Sequence, residues 1–329
     1  MYKIEDIRDI HLELTSKCQA RCPMCPRRIN GGIINPLIEI NEVTLETFKL
    51  WFSIDVIKQL DSLFMCGNLG DPIIAQDCVS IFRYIRDINP SIRLSMHTNG
   101  SARTKDFWQA LAYTNVKVTF GIDGLNDTHS LYRIGTDYSK ILDNAREFIN
   151  AGGIAEWHML VFKHNEHQIE ECQKVAAEMD FKNFQIKHTS RFTGDIWPVL
   201  DDAGKTTHVL TPTDTSKNTI LKIKEAKSQS TATSIRCKSQ HNKQFYISSN
   251  GDVSPCCWLD VRWFLPNHTS RVNFMDTIGT FHNLNNNSLI EIFDSGYFQQ
   301  IEDTWSLAPL SECSRQCGVF DKFGAQFVN

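Results

Sequence analysis

The sequence predicts an α/β protein built on a parallel sheet and followed by a smaller, cysteine-bearing module. Three observations carry this reading. Strand-like and helix-like stretches alternate over residues 10–190, turn-forming sequences close several of the strands, and most of the cysteines gather in two groups far apart in the chain. Alternating β and α segments imply parallel strands joined by right-handed crossovers. In such sheets the functional loops collect beyond the carboxyl ends of the strands.

The strand candidates are HLELT (11–15), SLFMCG (62–67), RLSMHT (93–98), VKVTFGI (116–122), AEWHMLVF (155–162) and NFQIKHT (183–189). β-Branched and aromatic residues and short apolar runs support them, with glycine or asparagine often at their ends. Helical candidates fill the intervals at 44–60, 77–88, 104–113, 138–151 and 166–179. Thr44 and Asn165 are the expected N-caps, with Gln168 three residues beyond Asn165 as in a capping box. Gly152 and Gly153 follow the fourth helix, where a C-terminal stop belongs. A cysteine triplet follows the first strand, GNLGDP the second and TNG the third, while GIDG ends the fourth. Gly, Asn, Asp and Pro make turns by themselves, but four such loops on one rim favour a site.

From 194 to 235 the chain is polar and rich in Thr, Ser, Lys and Asp, and reads as a connector with a helix near 218–227. QFYISSNGDVSPCC then reads as a β-hairpin turning at Asn250 and Gly251. Short helices are expected at 288–294, with Ser288 and Glu291 as a capping box, and at 296–304, before the closing CSRQC. The expected organisation is a sheet domain over 1–193, a connector over 194–235 and a cysteine-bearing module over 236–329. No solenoid repeat or long low-complexity tract interrupts it.

With 329 residues, 41% hydrophobic and 22% charged, the chain reads as a soluble globular protein with a sizeable core. A net charge of −4 gives no global basic field toward nucleic acid or an anionic membrane. No apolar run of about 18 residues and no signal-type n-region and h-region occur, so neither a membrane span nor a secretion signal is expected. The 11 cysteines are many and odd in number. A disulfide framework suits a small secreted scaffold, whereas metal-bound thiolates in a reducing cytoplasm suit this chain better.

Cys18, Cys22 and Cys25 lie in LTSKCQARCPMCPRR with the spacing C-x3-C-x2-C. A closed structural zinc site would need a fourth local Cys or His, but Cys66 lies on another strand and His11 precedes the loop within the first. A [4Fe–4S] cluster is normally held by four thiolates, so a loop supplying three leaves one iron open to an outside ligand. This spacing, in the loop after the first strand of a β/α repeat, resembles the radical S-adenosylmethionine (SAM) superfamily over roughly residues 8–192. The resemblance implies a partial (β/α)6 TIM-like barrel in which the amino and carboxylate groups of SAM chelate the open iron. Reductive cleavage then yields a 5′-deoxyadenosyl radical. The sequence departs from the family at Met24, where an aromatic residue is usual, although methionine can pack on adenine. It departs again at Gly70, Asp71 and Pro72, which stand for a Gly-Gly-Glu-Pro-like motif that binds the amino end of SAM. The resemblance also points to Thr98, Asn99 and Asp123 near the ribose and to His158 and Met159 near the adenine. Read from the residues alone, Asn99 and Gly100 make a simple turn, Asp123 caps a loop, and His158 is a core histidine. Arg27 and Arg28 could neutralise a carboxylate of SAM or substrate, or stand solvated.

The second group is Cys237, Cys256, Cys313 and Cys317, with Cys257 beside Cys256. Four thiolates suit zinc as well as a cluster. Over about 235–320 the group is similar to the shortened SPASM domain called twitch, which implies one auxiliary [4Fe–4S] cluster. Cys256 takes the family's Pro-Cys position, leaving Cys257 unligated unless the two exchange roles. Cys66 and Cys257 are the thiols nearest the expected substrate, where the resemblance allows hydrogen-atom donation to a substrate radical; a free cysteine otherwise packs as a small hydrophobe.

The function implied is an enzyme that takes a hydrogen atom from an unactivated C–H bond, the cofactor performing the hard step while the protein orients substrate and excludes water. A peptide or protein side chain is the favoured substrate. A small-molecule (sugar or alcohol) dehydrogenase or epimerase and a nucleotide- or RNA-modifying enzyme are the alternatives within the class. An electron donor of the flavodoxin or ferredoxin type, or a reductase, is the implied partner. A non-catalytic iron–sulfur or zinc scaffold or electron carrier, or a SAM binder without chemistry, is the reading from outside the class.

Overall fold

The computed structural model describes residues 3–192, 194–217, 234–262, 282–320 and 324–325. Six parallel strands form its centre: β1 (Asp9–Leu12), β2 (Ser62–Met65), β3 (Arg93–Thr98), β4 (Lys117–Gly121), β5 (Ile154–Leu160) and β6 (Asn183–Lys187), paired in sequence order. The expected α/β fold with a parallel sheet is therefore present. Helices α1 (Leu45–Trp51), α2 (Ile54–Gln59), α3 (Cys78–Ile88), α4 (Lys105–Ala112), α5 (His129–Tyr132), α6 (Tyr138–Asn150) and α7 (Ile169–Glu178) lie between the strands.

Alternation along each strand divides the residues into two sets. One set, including Leu63, Met65, Leu94, Met96, Val118, Phe120, Trp157 and Met159, packs against helices in the main core. The other set faces the concave interior of the sheet. There the rings of His11 and Phe64 are 4.9 Å apart, those of Phe64 and His97 4.9 Å, and those of His97 and His158 5.3 Å.

The helix expected over 44–60 is two helices. Thr44 caps the first as expected, accepting from Thr47 N. Phe52, at the break, is buried, and Ser53 caps a second helix by accepting from Val56 N, so a local cap and a buried ring outweigh continuity. Gly152, at φ 91°, stops α6: its N–H bonds Ile149 O, and that of Gly153 bonds Phe148 O, the paired bonds of a Schellman motif. Asn165 and Gln168 do not form the expected capping box. Asn165 Nδ2 donates to the carbonyls of Asp123 and Leu160 at 3.1 Å each, and Gln168 Oε1 accepts from Leu125 N at 2.9 Å. Both side chains brace the loop after β4.

Two further departures reshape the expected organisation. The part of the 194–235 connector that is described contains a hairpin, β7 (Trp197–Leu200) and β8 (Thr206–Leu210). Its Val199 and Leu210 are fully buried in a satellite core with Ala20, Cys22, Met24, Tyr132, Phe162 and Phe192, so the hairpin covers the triplet loop. The helix expected at 218–227 lies outside the described residues. A two-residue strand, β9 (Ser234–Ile235), follows.

The later hairpin, β10 (Gln244–Ile247) and β11 (Val253–Ser254), belongs to the main sheet. β10 runs parallel to β1, with Asp9 opposite Gln244 and Leu12 opposite Ile247, extending the sheet to eight strands. Phe245, Tyr246 and Ile247 are all buried, as befits a strand covered on both faces. Gly251, at φ 90°, supplies the left-handed residue of the turn that Asn250 and Gly251 predicted. The capping box of Ser288 and Glu291 is present at helix Leu289–Asp294, and helix Tyr297–Leu307 follows. Cys313 and Cys317 stand four apart on helix Ser311–Cys317, and β12 (Gly318–Phe320) pairs with β9 and with β13 (Gly324–Ala325). No helix among the described residues is long and apolar enough to cross a membrane.

The ring of Phe120 meets Trp108 at 5.3 Å, Phe181 at 5.9 Å and Phe148 at 6.3 Å. Phe120→Ala is expected to lower stability by about 3–5 kcal/mol, read from the midpoint and slope of chemical denaturation.

Candidate active site

The triplet loop leaves β1 at the rim of the sheet and is held from several directions. Asn99 Nδ2 lies 3.6 Å from Cys18 Sγ, Arg133 Nη1 lies 3.9 Å from Cys22 Sγ, and Cys25 Sγ lies 3.7 Å from the carbonyl oxygen of Asn68. Burial pushes all three thiols up, Cys22 to about 11. Each is therefore a neutral thiol until a metal displaces its proton.

Arg27 is buried and donates Nε to Ser16 O at 2.8 Å, while its Nη1 is buried with no hydrogen-bond partner. A guanidinium nitrogen lacking an acceptor, close beside Cys25 in the chain, fits a loop made to enclose an electron-rich group. Arg28 serves the loop itself, donating to Gly32 O at 2.5 Å and pairing with Asp202 at 3.6 Å.

The loop after β2 is tight enough to require glycine. A Cβ at Gly67 would lie 1.4 Å from Gly70 O, and one at Gly70 would lie 1.7 Å from Thr15 O. Asp71, four per cent exposed, joins this loop to the end of β3. Its Oδ1 accepts from Thr98 Oγ1 at 2.7 Å and from Ile73 N at 3.2 Å. Its Oδ2 accepts from Asn99 N at 2.7 Å and Asn99 Nδ2 at 2.5 Å. Pro72 is buried at the start of the 3-10 turn Pro72–Ile74. Gly70, Asp71, Thr98 and Asn99 are thus brought together against Cys18.

Other expected residues are placed differently. Asp123 is fully buried; its Oδ2 accepts from Arg133 Nε at 2.6 Å and its Oδ1 from Leu160 N at 2.6 Å. Both oxygens serve protein donors. Met24 is committed to the satellite core, with its sulfur 3.9 Å from Thr189 Oγ1. His158 faces the interior and is half-buried, with Nε2 3.9 Å from Glu156 Oε2, so it is not a histidine of the helix-packed core. Burial and the charge of Lys187 lower its pKa. Met159 packs on the helix side.

Cys237, Cys256, Cys313 and Cys317 come together. Cys237 and Cys317 act on each other directly, the first thiol being held up and the second drawn down. Burial pushes Cys256 to about 11 and Cys313 to about 12, with the charge of Cys317 acting on both and that of Cys256 acting on Cys313. Cys257 faces a different set: burial raises it, followed by the charges of Cys256, Cys66, Asp260 and Glu13. Of the two adjacent cysteines, it is Cys256 that acts on Cys237 and Cys313. Cys257 shares its surroundings with Cys66, itself pushed to about 12 by burial and by Glu13. Among the described residues no three His, Cys, Asp or Glu side chains converge closely enough to hold a single ion. The ligands of a cluster bind separate irons and stand farther apart.

Sequence reasoning missed Arg133, Arg191, Glu13, Tyr246 and Asp260. Arg191 Nη1 donates to Met24 O at 2.6 Å, and Arg133 is held charged because Asp123 and Cys22 outweigh its burial. Only Glu13 carried a signal, being an acid within the strand-like stretch HLELT.

Comparison with known families decides the class. The sequence profile of the radical SAM superfamily matches residues 12–176, just over half of the chain. The chain belongs to the radical SAM superfamily. The profile of the iron–sulfur cluster-binding domain SPASM matches residues 237–318. This radical SAM enzyme accordingly uses SAM and a [4Fe–4S] cluster, with a SPASM part that binds auxiliary iron–sulfur. Among solved structures, SuiB of Streptococcus suis bound to S-adenosylmethionine matches with TM-score 0.55 and 15% identity, over 93% of this chain and 77% of that one. Native anSMEcpe with bound AdoMet matches with TM-score 0.56 and 15% identity, over 94% and 89%. At such identities the likeness is one of fold. No curated protein matches the chain.

Burial pushes the Glu13 carboxyl up from 4.5 to about 7. The folded state then binds a proton that the unfolded chain lacks between these values, so this group makes stability fall as pH rises through the window. Denaturant unfolding from pH 4.5 to 7 is expected to show that slope in the wild type and a flatter one in Glu13→Gln.

Proposed function

We propose that the enzyme modifies a peptide or protein side chain by hydrogen-atom abstraction, with Cys18, Cys22 and Cys25 holding the SAM-binding cluster. One observation carries this reading: the triplet and the loops of Gly70, Asp71, Thr98 and Asn99 share one rim. When bound, the cluster supplies the electron that cleaves SAM to the 5′-deoxyadenosyl radical. The chain's own residues bind, orient and shield. Asn99 and Arg133 donate toward the cysteine sulfurs, Arg27 Nη1 offers a further donor, and Gly70 with Asp71 shapes the turn for the amino end of SAM.

Cys237, Cys256, Cys313 and Cys317 hold one auxiliary cluster in this reading, which the mutual influence of these thiols supports. Cys66 and Cys257, in shared surroundings between the two thiol groups, are the hydrogen donors to a substrate radical. High thiol pKa values suit that task, because a donor of a hydrogen atom must keep its proton. The peptide class draws support from SuiB bound to the precursor peptide SuiA and from anSMEcpe with bound AdoMet and the Kp18Cys peptide. A flavodoxin- or ferredoxin-type protein in the cytoplasm is the electron source.

Anaerobic reconstitution with iron, sulfide and a reductant tests the assignment. The wild type is expected to hold about eight irons per chain and to release 5′-deoxyadenosine from SAM. Replacing Cys18, Cys22 and Cys25 by alanine should leave about four irons and abolish release. Zinc in place of iron, or no 5′-deoxyadenosine from the wild type, would overturn the reading. In a separate measurement, cleavage in D2O without substrate is expected to place deuterium in 5′-deoxyadenosine from an exchangeable thiol. The double variant Cys66→Ala, Cys257→Ala should lose most of that label.

A further inference from the structure

The concave wall of the sheet has a satisfied half and an unsatisfied half. In the first, polar groups have partners: His11 Nε2 lies 3.2 Å from Cys66 O, and Tyr246 OH lies 2.6 Å from Glu13 Oε2. In the second, the register sets Gln185 beside His158 and Lys187 beside Leu160, so Gln185 and Lys187 share the face of His158. His97 reaches that face from β3, its ring 5.3 Å from that of His158. Among the described residues the side chains of His97, His158, Gln185 and Lys187 make no hydrogen bond. All four are half-buried, yet none of their unpaired atoms is sealed from solvent. Polar groups enclosed to this degree ordinarily find partners in the protein.

The charges along this wall do not cancel. Glu156, on the same face, is paired with Lys117 Nζ at 3.2 Å, with Thr119 Oγ1 at 3.5 Å and His158 Nε2 at 3.9 Å. Burial lowers the pKa of His97 to about 3 and lowers that of His158 too, and the charges of Lys187 and Lys117 act in the same direction. Both rings are therefore neutral at neutral pH. Lys117 and Lys187 against Glu156 leave an excess of one positive charge. Among the described residues Lys187 has no ion-pair partner, and only the charge of Glu156 opposes the lowering of its pKa by burial.

We propose that Lys187 is a specificity-determining residue whose ammonium group, with Gln185, His158 and His97 beside it, binds a carboxylate of the substrate on the concave face. This deepens the peptide reading given above and rests on it. The ammonium supplies a compact charge with three rotatable donors, each neutral imidazole supplies one N–H, and the Gln185 amide supplies two. One excess positive charge matches one carboxylate, whereas a phosphate dianion would leave a half-buried negative charge unpaired. The position suits the chemistry: Lys187 ends β6, and Thr189, two residues on, has its hydroxyl 3.9 Å from the sulfur of Met24 in the triplet loop. A peptide anchored at Lys187 is thereby held under the rim that carries the three cysteines. The carboxylate comes from an acidic side chain or from the peptide's own terminus, and the test separates the two.

The reconstituted holoenzyme is used with SAM already bound, so that the carboxylate of SAM is not the one detected. The probes, at millimolar concentration, are acetyl-Gly-Gly-Glu-Gly-Gly-amide, the same peptide with Gln for Glu, and acetyl-pentaglycine with a free carboxyl terminus. The rate at which acetic anhydride acetylates Lys187 is read by mass spectrometry against that of the exposed Lys58. The Glu peptide, the free-terminus peptide or both are expected to slow Lys187 several-fold, which identifies the source of the carboxylate, while the Gln peptide leaves it unchanged. Protection by neither charged probe, or equal protection by the Gln peptide, would overturn the proposal. In calorimetric titration with the protecting peptide, Lys187→Met should weaken binding several-fold, whereas Lys187→Arg, which keeps the charge, should retain most of it. Equal losses in the two variants would mean a merely structural role and defeat the proposal. A holoenzyme that binds the charged peptide but never releases 5′-deoxyadenosine would sink the functional reading instead and leave the carboxylate site standing.

Discussion

The carboxylate of Asp71 is the point on which the site depends. It is nearly inaccessible to water and accepts four hydrogen bonds, from Thr98 Oγ1, Ile73 N, Asn99 N and Asn99 Nδ2. Burial raises its pKa and the bonds from Asn99, Thr98 and Ile73 draw it back, so the donors are what make a charge tolerable there. Parallel strands pair only through their backbones, and the loops beyond their carboxyl ends would otherwise be free to separate. By bridging the ends of β2 and β3, and through Asn99 reaching Cys18, this one side chain fixes three loops in a common frame. Glu13 and Asp123 repeat the device on either side. Each is a buried acid committed to backbone N–H groups of the rim, of Leu69 and Gly70 in one case and of Leu160 in the other.

A similar need explains the junction with the C-terminal part. A parallel sheet of six strands has an open edge at β1, and an exposed edge invites pairing with other chains. β10 occupies it, and the helix Cys257–Arg262 that follows β11 brings Asp260 and Cys257 toward the interior. The chain thus covers its edge with the segment that carries the second thiol group. Radical chemistry needs water kept away, and an aromatic row from Tyr246 through His11, Phe64 and His97 to His158 lines the inner wall, buried at the Tyr246 and His11 end.

Much of this was legible in the residues because it is local. Strand periodicity, the cap at Thr44, the glycine stop at 152 and 153 and the capping box of Ser288 and Glu291 depend on neighbours a few positions apart. The cysteine triplet was legible because its three thiols share one short loop. What escaped depends on distant pairings. Nothing near residue 245 says that its strand will lie beside residue 10, and a fully buried QFYI reads much like an ordinary hairpin arm. The bond from Arg133 to Asp123 escaped because Arg133 sits ten positions on, in a stretch of ordinary composition. The choice between Cys256 and Cys257 was likewise undecidable from spacing, since adjacent residues differ only in which way the chain turns them. The hairpin of β7 and β8 hid in a polar stretch because only a few of its residues, Val199 and Leu210 among them, are buried.

The placement of β10 bears on how the chain is made. During synthesis β1 emerges early, with its outer edge bare, and the strand that covers it is delivered only after most of the polypeptide has left the ribosome. Until then the nascent protein carries an unfinished seam next to the cysteine loop. The seam closes only with the arrival of Phe245, Tyr246 and Ile247. Truncated chains that stop short of these residues retain a bare strand beside His11, and they are the products a cell would find hardest to keep from clumping.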